Sequence, residues 1–471
     1  MNQTRQRITY ILCDLLAVTA GWVLFYVYRF DVTGFMTAST LQDFLTLRSV
    51  QNSLVAGPLA WMLLFAFSGY YQKVYFKSYI EELRVTFLTC LVGCLVAFFV
   101  MVIDDVPFFN DEAFGMVKIV HVSPKVYLQI LLTMFASIFL PVYVVRCLIT
   151  HHTTSAIQAG RLGLRTLIIG NGRNAAQMIR ELKAQSKQSG YIVTAQTAAN
   201  SEHEVIRDLI SQHHIEAILL APEQHDQRVL DHLIYRLMPF GLPIRIKATN
   251  DEMLSGKVHV ESLTTLPMIE YSAELLPPFM RNVKRTGDIL FSTIALLLLS
   301  PLYLALAIAV RMDSLGPIFF SQERVGWSGR PFRIYKFRSM HVNAEAEGPQ
   351  LSSQMDRRIT RIGHYLRKYR LDELPQFWNV LRGDMSLVGP RPERDFFIRQ
   401  IMDVAPHYSR LLQVRPGITS WGQVKYGYAS SIFQMVERLR YDLMYVDNCS
   451  IGMDIKILGY TVKIVLTGKG I

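Results

Sequence analysis

Four long apolar runs dominate the N-terminal part of the chain, at residues 8–28, 50–71, 85–103 and 126–145. Each is close to the roughly 20 residues that an α-helix needs to cross the hydrocarbon core of a bilayer. Inside a bilayer, backbone N–H and C=O groups find no water, so runs of this length fold as helices that satisfy their own backbone. The pattern predicts a four-helix transmembrane domain over residues 1–150. The first run is long, carries no small-residue cleavage site and precedes three more, so it reads as a span rather than a secretory signal. Hydrophobic residues are 51% of the chain and charged residues 18%, and the apolar residues are bunched rather than spread.

The flanking charges orient these helices. Arg5 and Arg7 precede the first run, and Lys73, Lys77 and Arg84 separate the second from the third. Arg146, Arg161 and Arg165 follow the fourth, whereas Asp104, Asp105, Asp111 and Glu112 lie between the third and fourth. Positive flanks stay on the cytoplasmic side, so both ends of the unit are expected there. Cys13, Cys90, Cys94 and Cys147 lie in or beside the runs, which with Cys449 suggests buried thiols rather than disulfides or a metal site. The formal net charge of +11 suits anionic lipid and phosphate substrates, with no nucleic acid as partner.

Residues 162–268 change character. Short β-rich stretches at 166–169, 191–196, 216–220 and 243–247 alternate with amphipathic stretches at 174–187, 202–213 and 227–238. That alternation predicts a parallel sheet in a Rossmann-like α/β domain. Its first turn, Gly170-Asn171-Gly172-Arg173-Asn174-Ala175, fits a relaxed dinucleotide fingerprint. The acidic ribose partner expected about 20 residues later is absent, and Gln196 stands there instead. The turn therefore reads as structural, with no nicotinamide bound and no part in catalysis.

The segment 289–310 contains no charged residue and could span a bilayer. Lys284 and Arg285 precede it, while Arg311, Arg324, Arg330 and Arg333 follow it, so both flanks look cytoplasmic. Ser300-Pro301 falls in its middle, and proline removes a backbone donor and bends a helix. A re-entrant helix over 286–312, broken at Ser300 and Pro301, accommodates both facts. The alternative is a kinked fifth span.

The stretch from Arg367 to Gly383 contains Asp372 and Glu373 ahead of an amphipathic pattern, with Leu374, Phe377, Trp378 and Leu381 at helical spacing. Pro375 suits a first turn, and Asp372 is expected as the N-cap. A helix N-terminus and nearby arginines would favour ionised carboxylates. An ionised Asp is a competent nucleophile toward phosphorus, and an adjacent Glu can hold a divalent cation. Two Pro-bracketed turns, Gly389-Pro390-Arg391-Pro392-Glu393 and Arg415-Pro416-Gly417, each present one arginine. Lys336 and Arg338 are expected on one face of a strand. Such cations match phosphate oxygens.

These residues also carry a resemblance. Lys284-Arg285-Thr286-Gly287-Asp288, the Ser300-Pro301 break, Tyr335-Lys336-Phe337-Arg338-Ser339-Met340, Leu371-Asp372-Glu373-Leu374-Pro375-Gln376, Gly389-Pro390-Arg391-Pro392 and Arg415-Pro416-Gly417-Ile418-Thr419 occur in this order over residues 280–471. The set resembles the bacterial polyprenyl-phosphate sugar phosphotransferases that start exopolysaccharide, capsule and O-antigen repeats. The upstream helices and sheet resemble the large members of that family. The resemblance implies an α-rich catalytic domain over 280–471, anchored by the re-entrant helix at the bacterial inner membrane and facing the cytoplasm. It implies transfer of a sugar 1-phosphate from a UDP-sugar to undecaprenyl phosphate with release of UMP. Asp372 would form a covalent phosphosugar intermediate and Glu373 would hold Mg²⁺ or Mn²⁺. Lys336, Arg338, Arg367, Arg391 and Arg415 would steady phosphate oxygens. Glucose or galactose is the expected sugar, and a homodimer the expected assembly.

Two other functional classes fit these residues less well. A lipid-docked nucleotide-binding protein would have no need of an Asp-Glu pair among arginines. A membrane-tethered oxidoreductase or epimerase lacks the acidic ribose ligand and a Tyr-x-x-x-Lys pair near the sheet.

Overall fold

The computed structural model describes residues 3–33, 40–72, 77–104, 124–184, 190–223, 227–247, 268–271, 275–342, 344, 348, 350–351 and 356–468. Of the charges used to orient the spans, Lys73, Asp105, Asp111 and Glu112 lie outside these residues. The chain forms two compact units. Residues through Gly163 make the first, and the region from Leu164 onward, sheet and C-terminal part together, makes the second.

The first unit contains α1 (Gln3–Thr33), the short α2 (Leu41–Thr46), α3 (Arg48–Phe67), α4 (Tyr79–Asp104) and α5 (Pro124–Gln158). Four of them are long and apolar enough to cross a membrane. Gly21 lets α1 touch α5, since a Cβ there would stand 2.1 Å from the Ser137 carbonyl oxygen. The inward face of α1 buries Val18, Trp22 and Phe25. The fourth apolar helix runs well past residue 145, to Gln158. Arg146, expected just beyond a span, therefore lies inside α5 and is fully buried. It is held there by charge: Nε donates to Asp14 Oδ1 at 3.0 Å, Nη2 to Asp14 Oδ2 at 2.7 Å and Nη1 to Thr86 at 2.8 Å. The Tyr71 hydroxyl donates to the same Asp14 at 2.8 Å. Glu82 accepts from the Tyr70 hydroxyl and from Thr150, so one polar network ties α1, α4, α5 and the end of α3 together.

The second unit begins with β1 (Leu164–Ile169), α6 (Arg173–Ala184), β2 (Tyr191–Thr197), α7 (His203–His213), β3 (Ala217–Leu220), α8 (Gln227–Leu237), β4 (Ile244–Lys247) and β5 (Met268–Tyr271). The strand order is β2-β1-β3-β4-β5. The first four strands are parallel and match the expected strands within a residue or two. The fifth is antiparallel, pairing Ile244 with Tyr271, and its four residues gave no readable alternation. At the first turn, Gln196 Nε2 donates to the Gly170 carbonyl at 2.7 Å. Glu223 Oε1 accepts from the Arg173 backbone N–H at 3.1 Å, so a carboxylate of the chain itself stands at the start of α6. One face of the sheet buries Leu167, Ile169, Ile218 and Leu220 in a core continuous with Val388, Ile398 and Leu439 of the C-terminal part.

Next come α9 (Pro278–Leu298) and α10 (Ser300–Asp313), bent by 63° at Leu299. Taken together, the pair passes the same test of length and apolarity as a single broken element. Pro301 cannot donate a backbone hydrogen bond across the break, and Ser300 Oγ donates to the Leu297 carbonyl at 2.8 Å. Leu290, Phe291, Leu297, Leu298 and Leu304 are exposed. The other side of α9 is tied down by its motif residues. Arg285 donates to the Val380 and Leu381 carbonyls, Lys284 pairs with Asp454, and Asp288 accepts from the Leu387 N–H.

The rest comprises an antiparallel hairpin of β6 (Phe319–Val325) and β7 (Pro331–Phe337), then α11 (Arg361–Lys368), α12 (Gln376–Arg382), β8 (Ser386–Val388), α13 (Asp395–Val404), β9 (Gly417–Thr419), α14 (Trp421–Lys425), α15 (Ile432–Asp447) and α16 (Ile451–Thr467). Strands β8 and β9 pair in parallel. The C-terminal helix α16 is amphipathic, with Ile455, Val462 and Leu466 exposed and Asp454 and Ile457 buried.

Candidate active site

Asp372 and Glu373 occupy a 3₁₀ turn, Leu371–Glu373, between α11 and α12. Arg370 precedes it with φ 55°, a left-handed conformation that reverses the chain after α11. Helix α12 then starts at Gln376 with Pro375 as its N-cap. Asp372 is therefore not the N-cap the sequence suggested. The chain reaches α12 through a tight turn rather than an extended cap, and the carboxylate is freed to face a cavity. The two carboxyl side chains are almost buried, at 6% and 7% exposure, and both line that cavity.

Cations compensate for the burial unequally. Lys336 Nζ, from β7, donates to Glu373 Oε1 at 2.8 Å. Arg391 Nη1 donates to the same oxygen at 3.2 Å, and Arg370 Nη1 lies 3.8 Å from Oε2. Among the described residues, every hydrogen bond to the pair goes to Glu373, and none holds the Asp372 carboxylate. Burial disfavours ionisation of both groups. At Glu373 the charges of Lys336, Arg391 and Arg370 overcome it and hold the carboxyl well below the usual range. At Asp372 burial wins, helped by the charge of Glu373, and its pKa is raised despite Lys336, Arg367 and Arg391. Burial also lowers the pKa of Lys336.

Of the cations expected at the site, Lys336, Arg367 and Arg391 line the cavity with the dyad. Arg367 is steadied by its Nε, which donates to Ser339 Oγ at 2.9 Å. Arg338 borders the cavity, yet its guanidinium donates to the carbonyls of Ser314 and Leu315 at the end of α10. Lys336 and Arg338 both border the cavity, with Arg338 one residue beyond the end of β7 at Phe337. Arg415 lies outside the cavity lining: its Nε donates to the Gly383 carbonyl at 3.1 Å and its guanidinium stacks 4.7 Å over Trp327. Its turn supports the site indirectly. Gly417 N–H donates to the Pro390 carbonyl, and a Cβ on Gly417 would lie 2.1 Å from the Gly389 nitrogen, so the two Pro-bracketed turns touch backbone to backbone. Ser300 and Pro301 are not cavity residues. The helix that starts there carries Tyr303, whose hydroxyl donates to the Leu374 carbonyl at 2.6 Å, directly after the dyad.

Three further cations of the site carry no site signal in the sequence, where Arg324 reads only as a flanking charge. Arg370 stood unmarked inside the stretch that contains the dyad. Arg324 and Arg438 both reach Glu393, at 3.2 and 2.6 Å, and come from β6 and α15. Their distance along the chain left no local signal. Among the described residues there is no group of three or more His, Cys, Asp or Glu side chains able to hold a metal ion. Two adjacent carboxylates still suit Mg²⁺, which keeps waters and substrate phosphates among its ligands. Glu373, at the cavity wall, is the carboxylate of the pair that would hold such an ion.

Residues 279–468 match the family described as "Bacterial sugar transferase". The chain is 44% identical over 220 residues to the UDP-N-acetylgalactosamine-undecaprenyl-phosphate N-acetylgalactosaminephosphotransferase of Aeromonas hydrophila, covering 46% of this chain and 51% of the relative. It is 38% identical over 205 residues to the UDP-glucose:undecaprenyl-phosphate glucose-1-phosphate transferase of Escherichia coli, covering 43% of this chain and 44% of the relative. The Caulobacter vibrioides protein of that same name is 39% identical over 190 residues, 39% of this chain and 70% of the relative. The matches thus span about half the length of the first two relatives, at 51% and 44%.

Proposed function

The chain belongs to the bacterial sugar transferase family, and from that premise we propose that it is a phosphoglycosyl transferase acting on a UDP-sugar and undecaprenyl phosphate. The observation that carries this reading is the division of labour in the dyad. Lys336 and Arg391 hold Glu373, while Asp372 faces the cation-lined cavity with no hydrogen bond among the described residues.

An oxygen of ionised Asp372 attacks the sugar-bearing phosphorus of the UDP-sugar. The P–O bond to UMP breaks, and UMP leaves with that electron pair. A phosphate oxygen of the polyprenyl acceptor then attacks the same phosphorus, the acyl-phosphate bond breaks, and the Asp372 carboxylate is restored. Burial makes this carboxylate more basic than usual, which strengthens it as a nucleophile once ionised. Arg367 and Arg391 orient phosphate oxygens as charge moves onto the leaving UMP. Lys336 fixes Glu373 beside them. A Mg²⁺ or Mn²⁺ ion held by Glu373 would neutralise diphosphate charge. Arg338 and Arg415 act in this reading as braces, through α10 and the Arg391 turn.

The same reading places the dyad at the cytoplasmic face of the bacterial inner membrane, with α9 and α10 as a re-entrant helix. A polyprenyl phosphate presents its phosphate at that interface, and nucleotide sugars are cytoplasmic. The product would open exopolysaccharide, capsule or O-antigen assembly, from a homodimer. Glucose, galactose and N-acetylgalactosamine are all candidate sugars, since relatives are named for glucose and for N-acetylgalactosamine. The test is UMP release from a panel of UDP-sugars, with and without undecaprenyl phosphate. Acceptor-dependent UMP release from one of them is expected. Absence of release from the whole panel by folded protein contradicts the reading.

A further inference from the structure

Lys336 and Arg391 meet at one oxygen of Glu373, but they come from separate elements. Each of those elements is pinned at its other end by the same helix of the central α/β region, α8, or by the turn that follows it. Lys336 lies on β7. The tip of its hairpin contains Ser328, a non-glycine residue with φ 57°. Ser328 Oγ donates to the Met238 carbonyl at 2.7 Å, immediately after α8. Gly329 sits against Pro239 in the same contact. Arg391 lies in the turn that leads into α13. The first residue of α13, Asp395, accepts a 2.7 Å hydrogen bond from the Tyr235 hydroxyl on α8.

Between these points the turn has its own anchors. Val325 N–H donates to the Glu393 carbonyl, and Glu393 takes Arg324 and Arg438 on its carboxylate. At Asp395, by contrast, the other side-chain partner among the described residues is Arg399, in an exposed ion pair one turn along α13. Such exposed pairs hold little. The Tyr235 contact is therefore the firmer of the two side-chain ties at Asp395.

We infer that α8 of the central sheet is a positioning element for the transfer reaction, and that Tyr235 is its positioning residue. By holding Asp395 it fixes the turn that delivers Arg391 to Glu373. Through Met238 the same element steadies the hairpin that delivers Lys336. A scaffold of this kind requires no ligand in the sheet, where Glu223 already stands at the start of α6. The inference rests on the proposed transferase reading.

The test uses the full-length protein in detergent or lipid, assayed for UMP release with undecaprenyl phosphate. Tyr235→Phe removes one hydroxyl and keeps the ring. A displacement near 1 Å at a reacting site lowers rates by up to about a hundredfold, so a kcat loss of about tenfold is expected, with KM for the UDP-sugar within about twofold. Asp395→Ala should give the same loss. Asp395→Asn keeps the accepting oxygen and should stay near the parent rate. Tyr235→Phe with Asp395→Ala should be no worse than either alone, because both remove one interaction. Parent kcat in Tyr235→Phe overturns the inference, as do losses that multiply in the double variant. A loss that tracks a fall in the thermal midpoint makes the contact merely structural, and overturns it as well. Failure of the parent protein to release UMP is a different outcome and contradicts the transferase reading instead.

Discussion

Asp372 and Glu373 are neighbours in one 3₁₀ turn, yet their pKa values move in opposite directions: burial raises that of Asp372, whereas at Glu373 the charges of Lys336, Arg391 and Arg370 outweigh burial and lower it. Lys336, Arg391 and Arg370 account for the difference, since all three lie against Glu373. One acid is thereby kept as a fixed anion and the other as a more basic group facing the cavity.

A fixed anion beside a substrate diphosphate calls for additional positive charge. Excess chelator is expected to remove the activity, and added Mg²⁺ or Mn²⁺ to restore it. Full turnover in chelator, measured as UMP release, would show that the protein cations suffice.

Asp14 and Arg146 form a fully buried ion pair inside the four-helix unit. Replacing one partner of a buried pair strands the other charge and costs about 3–5 kcal/mol, whereas replacing both by apolar residues is often near neutral. Asp14→Leu should lower the thermal midpoint of the purified protein sharply, and Asp14→Leu with Arg146→Leu should recover most of it. Equal midpoints for the parent and Asp14→Leu would rule the pair out as a determinant.

Asp442 gives a pH dependence of known sign. Burial pushes its pKa up to about 6, against the opposing charge of Arg438 and the hydrogen bond from the Gly422 N–H. The fold thus favours the protonated acid. Its contribution is complete below the unfolded value of about 3.9 and is lost as pH rises through about 6, on the order of 3 kcal/mol. Between pH 4 and pH 6.5 the parent midpoint should fall relative to that of Asp442→Asn. A difference that stays flat, or widens the other way, contradicts this.

Topology can be read by labelling. Arg382 is about half exposed at the end of α12. In a background without other cysteines, Arg382→Cys should react only with reagents that reach the cytoplasm. Labelling by an impermeant reagent in intact cells would mean that α9 and α10 form a true fifth span.

Much of this was legible in the sequence because it is local. The four apolar helices follow from run length, and the four parallel strands from short β-rich stretches between amphipathic ones. The bend at Ser300-Pro301 follows from proline chemistry, since Pro301 breaks the backbone ladder. What escaped depends on contacts distant in the chain. Asp372 looked like an N-cap because the left-handed Arg370 that redirects the chain leaves no mark in residue type. Arg338 and Arg415 also donate to backbone carbonyls, of Ser314 and Leu315 and of Gly383, and residue type gives no sign of these contacts because a guanidinium suits phosphate and carbonyl alike. Arg146 read as a flanking charge because its partner Asp14 lies at the other end of the unit's sequence.

The central claim is that Asp372 carries the phosphosugar between donor and acceptor. It is tested most directly by intact-protein mass measurement after mixing the protein with its UDP-sugar in the absence of lipid acceptor. A mass increase equal to one sugar phosphate is expected in the parent protein. Asp372→Asn should show no increase, with turnover below about a hundredth of the parent rate, as loss of a nucleophile entails. Undecaprenyl phosphate should discharge the added mass. An adduct that survives in Asp372→Asn, or acceptor-dependent turnover by that variant near the parent rate, would contradict the assignment.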